Sequence, residues 1–204
     1  WQIVRCRPWV LSCAQEIESI EYANSITSND LENLLSVYSS DDFEGRQTGQ
    51  KGDRIAANFL RDFYITNQIE PAQNTVDYFQ PYQLNLPGEM YTFNYSFPET
   101  LRGYDKYAEG ENFVDTQNVA SIIKGEIYPE SYVIITAHLD HVGINGDEVY
   151  NGADDNGSGT VSILEIAQAF QVAVKDGTRP KRSIVFLHVS GEEEDLLGSE
   201  YYVN

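Results

Sequence analysis

Apolar side chains recur at helical spacing in three segments of the chain, which predicts three amphipathic helices. The first segment follows polar residues suited to an N-cap, Ser28-Asn29-Asp30, and the second follows a glycine-punctuated loop from Phe43 to Gly49. The third begins near Ser158 and ends before Gly177. We expect their apolar faces to lie in the core: Leu31, Leu34, Leu35 and Tyr38; Ile55, Phe59, Leu60 and Phe63; Ile163, Ile166, Ala167, Phe170 and Val174.

Short β-branched runs predict strands in the second half of the chain. Residues 119–123 and 132–136 are expected to be neighbouring strands, and residues 183–189 a third strand. Upstream, aromatic residues alternate at period two from Tyr91 to Phe97, so the region between Thr75 and Phe97 is expected to supply strands or a hairpin at the sheet edge. The order of strand, loop and helix after residue 119 predicts an α/β fold.

Composition adds a size and a charge to this picture. The 204 residues suit one ordinary domain, and a hydrophobic content of 41% is typical of a globular protein. Acidic residues outnumber basic ones by 32 to 13, a net charge of −19 that repels phosphate backbones. Nucleic acid is therefore not expected as a partner, and the charge favours an extracytoplasmic or salty setting. No run of 18 apolar residues occurs, so no spanning helix is predicted.

Both cysteines, Cys6 and Cys13, lie in the first thirteen residues, so the rest of the chain has neither a disulfide framework nor a thiolate metal site. Residues 9–15 resemble the end of a bacterial lipoprotein signal, in which the lipidated cysteine, here Cys13, forms the mature N-terminus and anchors the protein outside the cytoplasm. Two arginines and a proline interrupt the preceding apolar stretch. A disordered tail with two incidental cysteines is therefore an equal interpretation.

Histidine and carboxylate residues cluster in three segments late in the chain. His138 and Asp140 end a predicted strand, and Gly191-Glu192-Glu193-Glu194 follows the last one. Between them lies Gly152-Ala153-Asp154-Asp155-Asn156-Gly157-Ser158-Gly159, a turn that puts a carboxylate at a helix N-terminus. Because ligands gather beyond the carboxyl ends of strands in open α/β sheets, we expect the segments to converge. They supply the ligand types and the base that a zinc hydrolase needs.

Each of these segments has another interpretation. His138-Leu139-Asp140 is also typical of a hydrogen-bonded surface pair, and the glutamate run is typical of a solvated acidic loop. The stretch from Asp154 to Glu165 matches the ligand spacing of an EF-hand calcium loop. An EF-hand requires an entering helix, which the glycines before Asp154 break, so the sequence favours zinc over calcium.

In this order, the three segments resemble the motifs of the co-catalytic di-zinc aminopeptidase family, which includes bacterial leucyl aminopeptidases, glutamate carboxypeptidases and the transferrin-receptor ectodomain. The similarity is strongest over residues 118–203 and extends to residues 40–72, especially Phe43-Glu44-Gly45-Arg46. The resemblance implies a three-layer α/β fold, with a mixed central sheet flanked by helices. It also implies two zinc ions, peptide substrates and cleavage at a free N-terminus by zinc-activated water.

By position in the motifs, the resemblance assigns three zinc ligands, one general base and one orienting residue: His138 for one ion, Glu193 for the other, Asp155 bridging both, Glu192 as the base and Asp140 beside His138. It also implies a cis peptide bond between Asp155 and Asn156. Asp195 departs from the family, which usually has glycine there, and we expect it to tighten or distort the turn after Glu193.

The family has two further ligands, an aspartate and a histidine, at downstream positions beyond residue 204. Two protein ligands for each zinc are fewer than catalytic sites generally have, so these 204 residues alone are expected to bind zinc weakly and to be inactive. His141 and His188 match no family ligand and are expected to be poor substitutes, with His188 in the core. We therefore interpret the chain as a leader (1–22) followed by the N-terminal part of one peptidase domain (23–204), with a variable edge (73–117).

Three other functions remain open at this point. A catalytically inactive relative would keep the fold as a receptor or interaction domain, but it has no reason to retain His138, Asp155, Glu192 and Glu193 together. A calcium-binding module would use the stretch from Asp154. A glutaminyl-cyclase-like transferase shares the fold, although the turn from Asp155 to Gly159 resembles the peptidases more.

Overall fold

The computed structural model describes residues 19–85 and 113–204. We label its helices in chain order: α1 at Ser28–Tyr38, α2 at Lys51–Asn67, α3 at Ser158–Lys175 and α4 at Leu197–Val203. Residues 19–23 are also helical, and turns of 3₁₀ and π type lie at Asp41–Arg46 and Ala153–Gly157. The three predicted helices are confirmed. In the two described ranges, no helix combines the length and the apolar character that crossing a membrane requires.

Local hydrogen bonds set the ends of the first two helices. The hydroxyl of Thr27 accepts a hydrogen bond from the backbone N–H of Asp30, so the N-cap of α1 lies one residue before the polar run that predicted it. Helix α2 ends at Asn67 because Gln68 adopts the left-handed conformation, with φ of 62°, which turns the chain toward the first strand.

Five strands form one mixed sheet. They are β1 at Glu70–Pro71, β2 at Phe79–Asn85, β3 at Phe113–Ile123, β4 at Tyr128–His138 and β7 at Arg182–Val189. Two further strands are β5 at Ile144–Asn145 and β6 at Glu148–Val149. Strand β3 pairs antiparallel with β1, β2 and β7, while β4 pairs parallel with β7. Strands β5 and β6 form a separate hairpin. The expected mixed sheet flanked by helices is confirmed.

The expectation that residues 119–123 and 132–136 form neighbouring strands is wrong. Strand β7 lies between β3 and β4, and its Val185 pairs with Ile122 on one side and Ile134 on the other. All of β7 after its first residue is buried, so this apolar strand takes the interior position. Helix α3 connects β4 to β7, and such a helical crossover allows the two strands to be parallel.

Parts of the predicted edge region can be compared with the structure. Strand β2 pairs with β3 over Phe79–Asn85, which confirms a strand at this edge of the sheet. The alternating aromatic residues from Tyr91 to Phe97 lie outside the described residues, as do both cysteines. The hypothesis of a lipid anchor at Cys13 therefore stays a prediction.

The main core lies between one face of the sheet and helices α1, α2 and α3, while Tyr202 of α4 packs against the other face. His188 of β7 is fully buried, as predicted, and its Nε2 lies 2.6 Å from the hydroxyl oxygen of Tyr64. Burial lowers the pKa of His188 to about 3, so the ring is neutral at pH 7. The contact joins two fully buried side chains, and His188 is thus part of the core rather than of a metal site.

Candidate metal centre

The carboxyl ends of two parallel strands bring the first and third acidic segments together. His138 is the last residue of β4 and pairs with Val189, the last residue of β7. Ser190 and Gly191 then lead directly to Glu192 and Glu193. Because parallel strands end at the same edge, one loop after each strand is enough to place the histidine and both glutamates in one cleft.

His138 lies at the centre of this cleft. Its Nδ1 is 3.0 Å from the backbone carbonyl oxygen of Asp140, and its Nε2 is 3.0 Å from Oδ1 of Asp155 and 3.8 Å from Oε2 of Glu192. Burial lowers the pKa of His138, but the hydrogen bond and charge of Asp140 and the charge of Glu192 outweigh it and raise the pKa to about 9. The surroundings therefore favour a cation at this position.

Asp155 belongs to the π-type turn that enters helix α3. Its peptide bond to Asn156 is cis, which confirms the expectation from the family resemblance. The side-chain oxygen of Asn156 accepts a hydrogen bond from the backbone N–H of Gly159, within the first turn of α3. The Asp155 side chain is 67% exposed, so one of its oxygens contacts His138 while the group stays open to the cleft. The segment before this turn contains the β5–β6 hairpin rather than an EF-hand's entering helix.

Asp140 was expected to orient His138, and the structure shows that its backbone and side chain have different partners. The carbonyl makes the short contact to His138, whereas the carboxylate lies 3.7 Å from the ring. That carboxylate is fully buried and accepts hydrogen bonds from the backbone N–H groups of Glu192 and Glu193, both at 3.3 Å. It also accepts the Thr48 hydroxyl at 2.9 Å. Asp140 thus fixes the turn that carries both glutamates.

A second buried carboxylate, Asp53, supports the same turn from below. The Ser190 hydroxyl donates to it at 2.8 Å, the Thr116 hydroxyl at 2.8 Å and the backbone N–H of Gly49 at 3.1 Å. Burial raises the pKa of Asp53 to about 7, although the hydroxyl groups of Thr116 and Ser190 lower it. Neighbouring residues of one loop, Thr48 and Gly49, therefore bind the two buried carboxylates that hold residues 190–193.

Arg46 binds the backbone of the loop that precedes Asp155. Its buried guanidinium donates to the carbonyl oxygens of Leu139 at 3.0 Å, Asn151 at 2.8 Å and Gly152 at 2.9 Å, and to that of Tyr38 at 3.2 Å. These contacts join the ends of α1 and β4 to the loop that carries Asp155. The sequence placed Arg46 in a family motif but did not predict this role.

Gly45 lets the Arg46 segment approach the loop closely. Its φ is 63°, and a Cβ at this position would lie 2.3 Å from the carbonyl oxygen of Gly143. The Gly45 carbonyl instead accepts a hydrogen bond from the backbone N–H of Gly143 at 3.0 Å. A glycine is therefore required where the two loops meet.

His141 also lies in the cleft, although it matches no ligand position of the family motifs. Its Nδ1 is 2.7 Å from Oε1 of Glu193, and its side chain is 15% exposed. The matching signal in the sequence is its position three residues after His138, beyond the end of the same strand.

Asp195, where the family usually has glycine, lies in a turn whose backbone is left-handed. Asp195 and Leu196 have φ of 68° and 64°, a conformation that costs non-glycine residues about 1–2 kcal/mol. Glycine would adopt it freely, which explains a preference for glycine at this turn. The turn still closes, because the Leu196 and Leu197 N–H groups donate to the carbonyls of Glu192 and Gly191 at 3.0 and 2.9 Å.

The donor atoms fit a zinc ion by type and by spacing. Two groups of three have ligand atoms within 4.8 Å of one another: His138 with Glu192 and Glu193, and His141 with Asp155 and Glu193. Nitrogen from histidine together with carboxylate oxygen is a donor set of catalytic zinc, whereas calcium prefers oxygen alone. Glu193 belongs to both groups, so the two sets of donor atoms are adjacent.

Comparison with known proteins agrees with this donor set. Residues 118–204 match the sequence profile of Peptidase family M28, a range that contains all three segments. This part of the chain is therefore similar to Peptidase family M28. Among the M28-like relatives, a vacuolar membrane protease of Tuber melanosporum is 31% identical over 166 residues, which cover 80% of this chain and 16% of the relative. Aminopeptidase NAALADL1 of Rattus norvegicus is 40% identical over 86 residues, 42% of this chain and 11% of the relative.

A third relative and two solved structures extend the comparison. The probable glutamate carboxypeptidase VP8 of Zea mays is 34% identical over 97 residues, 48% of this chain and 13% of the relative. The LapA aminopeptidase of Legionella pneumophila has a TM-score of 0.57 at 21% identity, over 92% of this chain and 41% of that chain. A glutaminyl cyclase of Macrostomum lignano has a TM-score of 0.55 at 14% identity, over 85% of this chain and 40% of that chain.

These figures separate what the fold shows from what the sequence shows. Both solved structures are too distant in sequence to indicate more than the fold, which a peptidase and a cyclase share. The sequence relatives named above are a protease, an aminopeptidase and a probable carboxypeptidase. The chain spans only 11 to 16% of their lengths.

Proposed function

We propose that the protein containing this chain is a zinc-dependent exopeptidase, and specifically an aminopeptidase that acts on peptides with a free N-terminus. The observation that carries the proposal is the convergence of His138, Asp155, Glu192 and Glu193 in one cleft beyond the ends of β4 and β7. The match of residues 118–204 to Peptidase family M28 and the aminopeptidase name of one relative support it.

In this proposal, His138, Asp155 and Glu193 bind metal, and two zinc ions share the cleft. The carboxylates of Asp155 and Glu192 near Nε2 of His138 support a cationic occupant. Bound zinc would supply a Lewis acid for the scissile carbonyl and lower the pKa of a water molecule. Asp140 fixes the backbone of the turn that carries the two glutamates, because it accepts both of their N–H groups.

Glu192 acts as the general base. Its side chain is 34% exposed at the cleft, and its Oε2 lies 3.8 Å from His138. The carboxylate takes a proton from the attacking water as the water oxygen bonds to the carbonyl carbon of the peptide. It then gives that proton to the departing amine as the C–N bond breaks, which regenerates the carboxylate.

The other candidate functions receive less support. The fold likeness to a glutaminyl cyclase is matched by the likeness to the LapA aminopeptidase, whereas the named sequence relatives are peptidases. A calcium module lacks the entering helix in the described chain, since a hairpin precedes Asp154. An inactive receptor-type relative would have no need of the base Glu192 beside intact ligands.

The expected partners are peptides, and the proposed location is outside the cytoplasm. The net charge of −19 supports an extracytoplasmic setting, and the fungal relative is named a vacuolar membrane protease. A lipid anchor at Cys13 would place the protein on a membrane surface.

Metal removal tests the proposal directly. We expect the full-length protein to release an N-terminal residue from an aminoacyl chromogenic substrate, to lose this activity with a zinc chelator and to regain it with added zinc. Activity without metal would contradict a zinc peptidase, because Glu192 alone cannot polarise the carbonyl. The same preparation should be assayed for cyclisation of an N-terminal glutamine peptide. Zinc-dependent cyclisation without hydrolysis would favour the cyclase.

A further inference from the structure

We propose that His141 is a positioning residue that orients the Glu193 carboxylate for zinc binding. The inference rests on the proposed function, since it concerns the same cleft. Its basis is the 2.7 Å contact between His141 Nδ1 and Glu193 Oε1, a contact outside the set of ligands and base that the motifs assign. The sequence predicts no role for His141, because it matches none of those positions.

The geometry determines which partner carries the proton. An ionised carboxylate has only acceptor oxygens, so the Nδ1 of His141 is the donor in this hydrogen bond. The bond occupies Oε1 of Glu193 and leaves Oε2 for a metal ion. A zinc-ligating carboxylate is typically hydrogen-bonded in this way, because the second bond fixes its plane.

His141 is itself held from two sides. Its backbone N–H donates to the carbonyl oxygen of Arg46 at 3.1 Å. Its ring packs against Gly152, where a Cβ would lie 2.5 Å from Cδ2 of the imidazole. Since Gly152 begins the turn that carries Asp155, His141 links the wall with Asp155 to the turn with Glu193. The imidazole is therefore a rigid donor rather than a mobile surface histidine.

The alternative is that His141 binds metal directly, because its ligand atom lies within 4.8 Å of those of Asp155 and Glu193. A nitrogen that donates a proton to Glu193 cannot bind zinc with the same lone pair, so the two roles exclude each other at Nδ1. The hydrogen bond between Nδ1 and Glu193 is the contact that the structure contains. The two roles respond differently to substitution, which makes them separable.

The test uses two substitutions of the full-length protein, with zinc affinity measured by competition with a chelating dye. His141→Leu keeps the size of the ring but removes the donor, and we expect zinc affinity to fall about 10- to 100-fold. His141→Asn places an amide N–H₂ near the position of Nδ1, and we expect affinity within about threefold of the wild type. Thermal unfolding of the metal-free variants shows whether both remain folded, so that a loss of zinc affinity can be told from a loss of structure.

A double substitution tests whether His141 acts through Glu193. In a Glu193→Ala background, His141→Leu should cost no further zinc affinity, since the carboxylate that it orients is gone. Equal affinity of wild type and His141→Leu would overturn the inference, as would independent losses that multiply in the double variant. Loss of affinity in His141→Asn as large as in His141→Leu would instead show a direct ligand.

Failure of the inference can be told from failure of the proposed function. If the wild type binds zinc and hydrolyses peptides but His141→Leu matches it, only the role of His141 is wrong. If the wild type neither binds zinc nor hydrolyses peptides, the proposed function fails, and the role of His141 fails with it. The ¹⁵N spectrum of the metal-free protein then still reports whether Nδ1 carries the proton toward Glu193.

Discussion

Glu192→Gln is expected to lower kcat for peptide hydrolysis by about 10²–10⁴-fold in the full-length protein, with zinc affinity within a few-fold of the wild type. Glutamine keeps the shape and one side-chain oxygen of glutamate, but it cannot take the proton from the attacking water. The backbone of residue 192 is fixed by its N–H bond to Asp140, so the substitution should not move the turn. Steady-state kinetics and zinc competition on the same preparations measure both quantities.

Glu194→Gln is the matched control. Glu194 follows in the same acidic run, but it belongs to neither group of candidate ligands in the described residues. Its substitution should leave kcat unchanged. Full activity of Glu192→Gln would show that another group is the base, whereas loss of zinc together with activity would make Glu192 a ligand.

Arg46→Met is expected to lower the free energy of unfolding of this chain by about 3–5 kcal/mol, the largest stability effect that we predict. The substitution keeps an apolar stem of similar length but removes a donor from four carbonyl oxygens, those of Tyr38, Leu139, Asn151 and Gly152. The carbonyls of Leu139 and Gly152 still accept the Tyr38 hydroxyl and the Gly157 N–H, whereas those of Tyr38 and Asn151 lose the donor that Arg46 gives them. An unsatisfied buried polar group costs about 1–3 kcal/mol, and water can reach some of these carbonyls once the guanidinium is gone. Urea unfolding measures the difference.

Arg61→Met serves as the control for loss of an arginine charge. Arg61 pairs with Asp62 and Asp77 at the surface, and exposed ion pairs contribute about 0–1 kcal/mol. Equal effects of the two substitutions would contradict the role of Arg46 as the link between the loops of the cleft. We also expect Arg46→Lys to destabilise, because one ammonium cannot reach four carbonyls that a planar guanidinium satisfies together.

The sequence predicted those elements whose signals are local. The apolar period of 3.6 identified α1, α2 and α3, and β-branched runs identified parts of β3, β4 and β7. The strand ends then indicated where His138 and Glu192 would lie, because the carboxyl edge of a parallel pair is a general binding position. Their closeness in the structure follows from this one rule.

Contacts between distant parts of the chain could not be predicted. The order of β3, β7 and β4 depends on which strand is most buried in the assembled sheet, which no local pattern reveals. The contact between Asp53 and Ser190 could not be predicted either, because 137 positions separate the two residues in the sequence. In the sequence, Asp53 is an acidic residue in the first turn of a helix, where a negative charge interacts favourably with the helix dipole. That position alone gives no sign of its contact with Ser190.

His141 illustrates a different limit. The sequence shows that His141 lies three residues after His138. The family motifs have no ligand at this position, so the resemblance predicts no role for it. Its role depends on the position of Glu193. The turn that carries Glu193 is fixed because the Asp140 carboxylate accepts hydrogen bonds from the backbone N–H groups of Glu192 and Glu193. Such a detail becomes available only when the fold is known.

The central claim is that three separate segments form one zinc site beyond the ends of β4 and β7. Anomalous X-ray diffraction from zinc-loaded crystals of the full-length protein tests it most directly. We predict a zinc peak at about 2.0–2.2 Å from a ring nitrogen of His138 or a carboxylate oxygen of Glu193, with Asp155 as a further ligand. A peak at any other place, or none in this cleft at saturating zinc, would contradict the account.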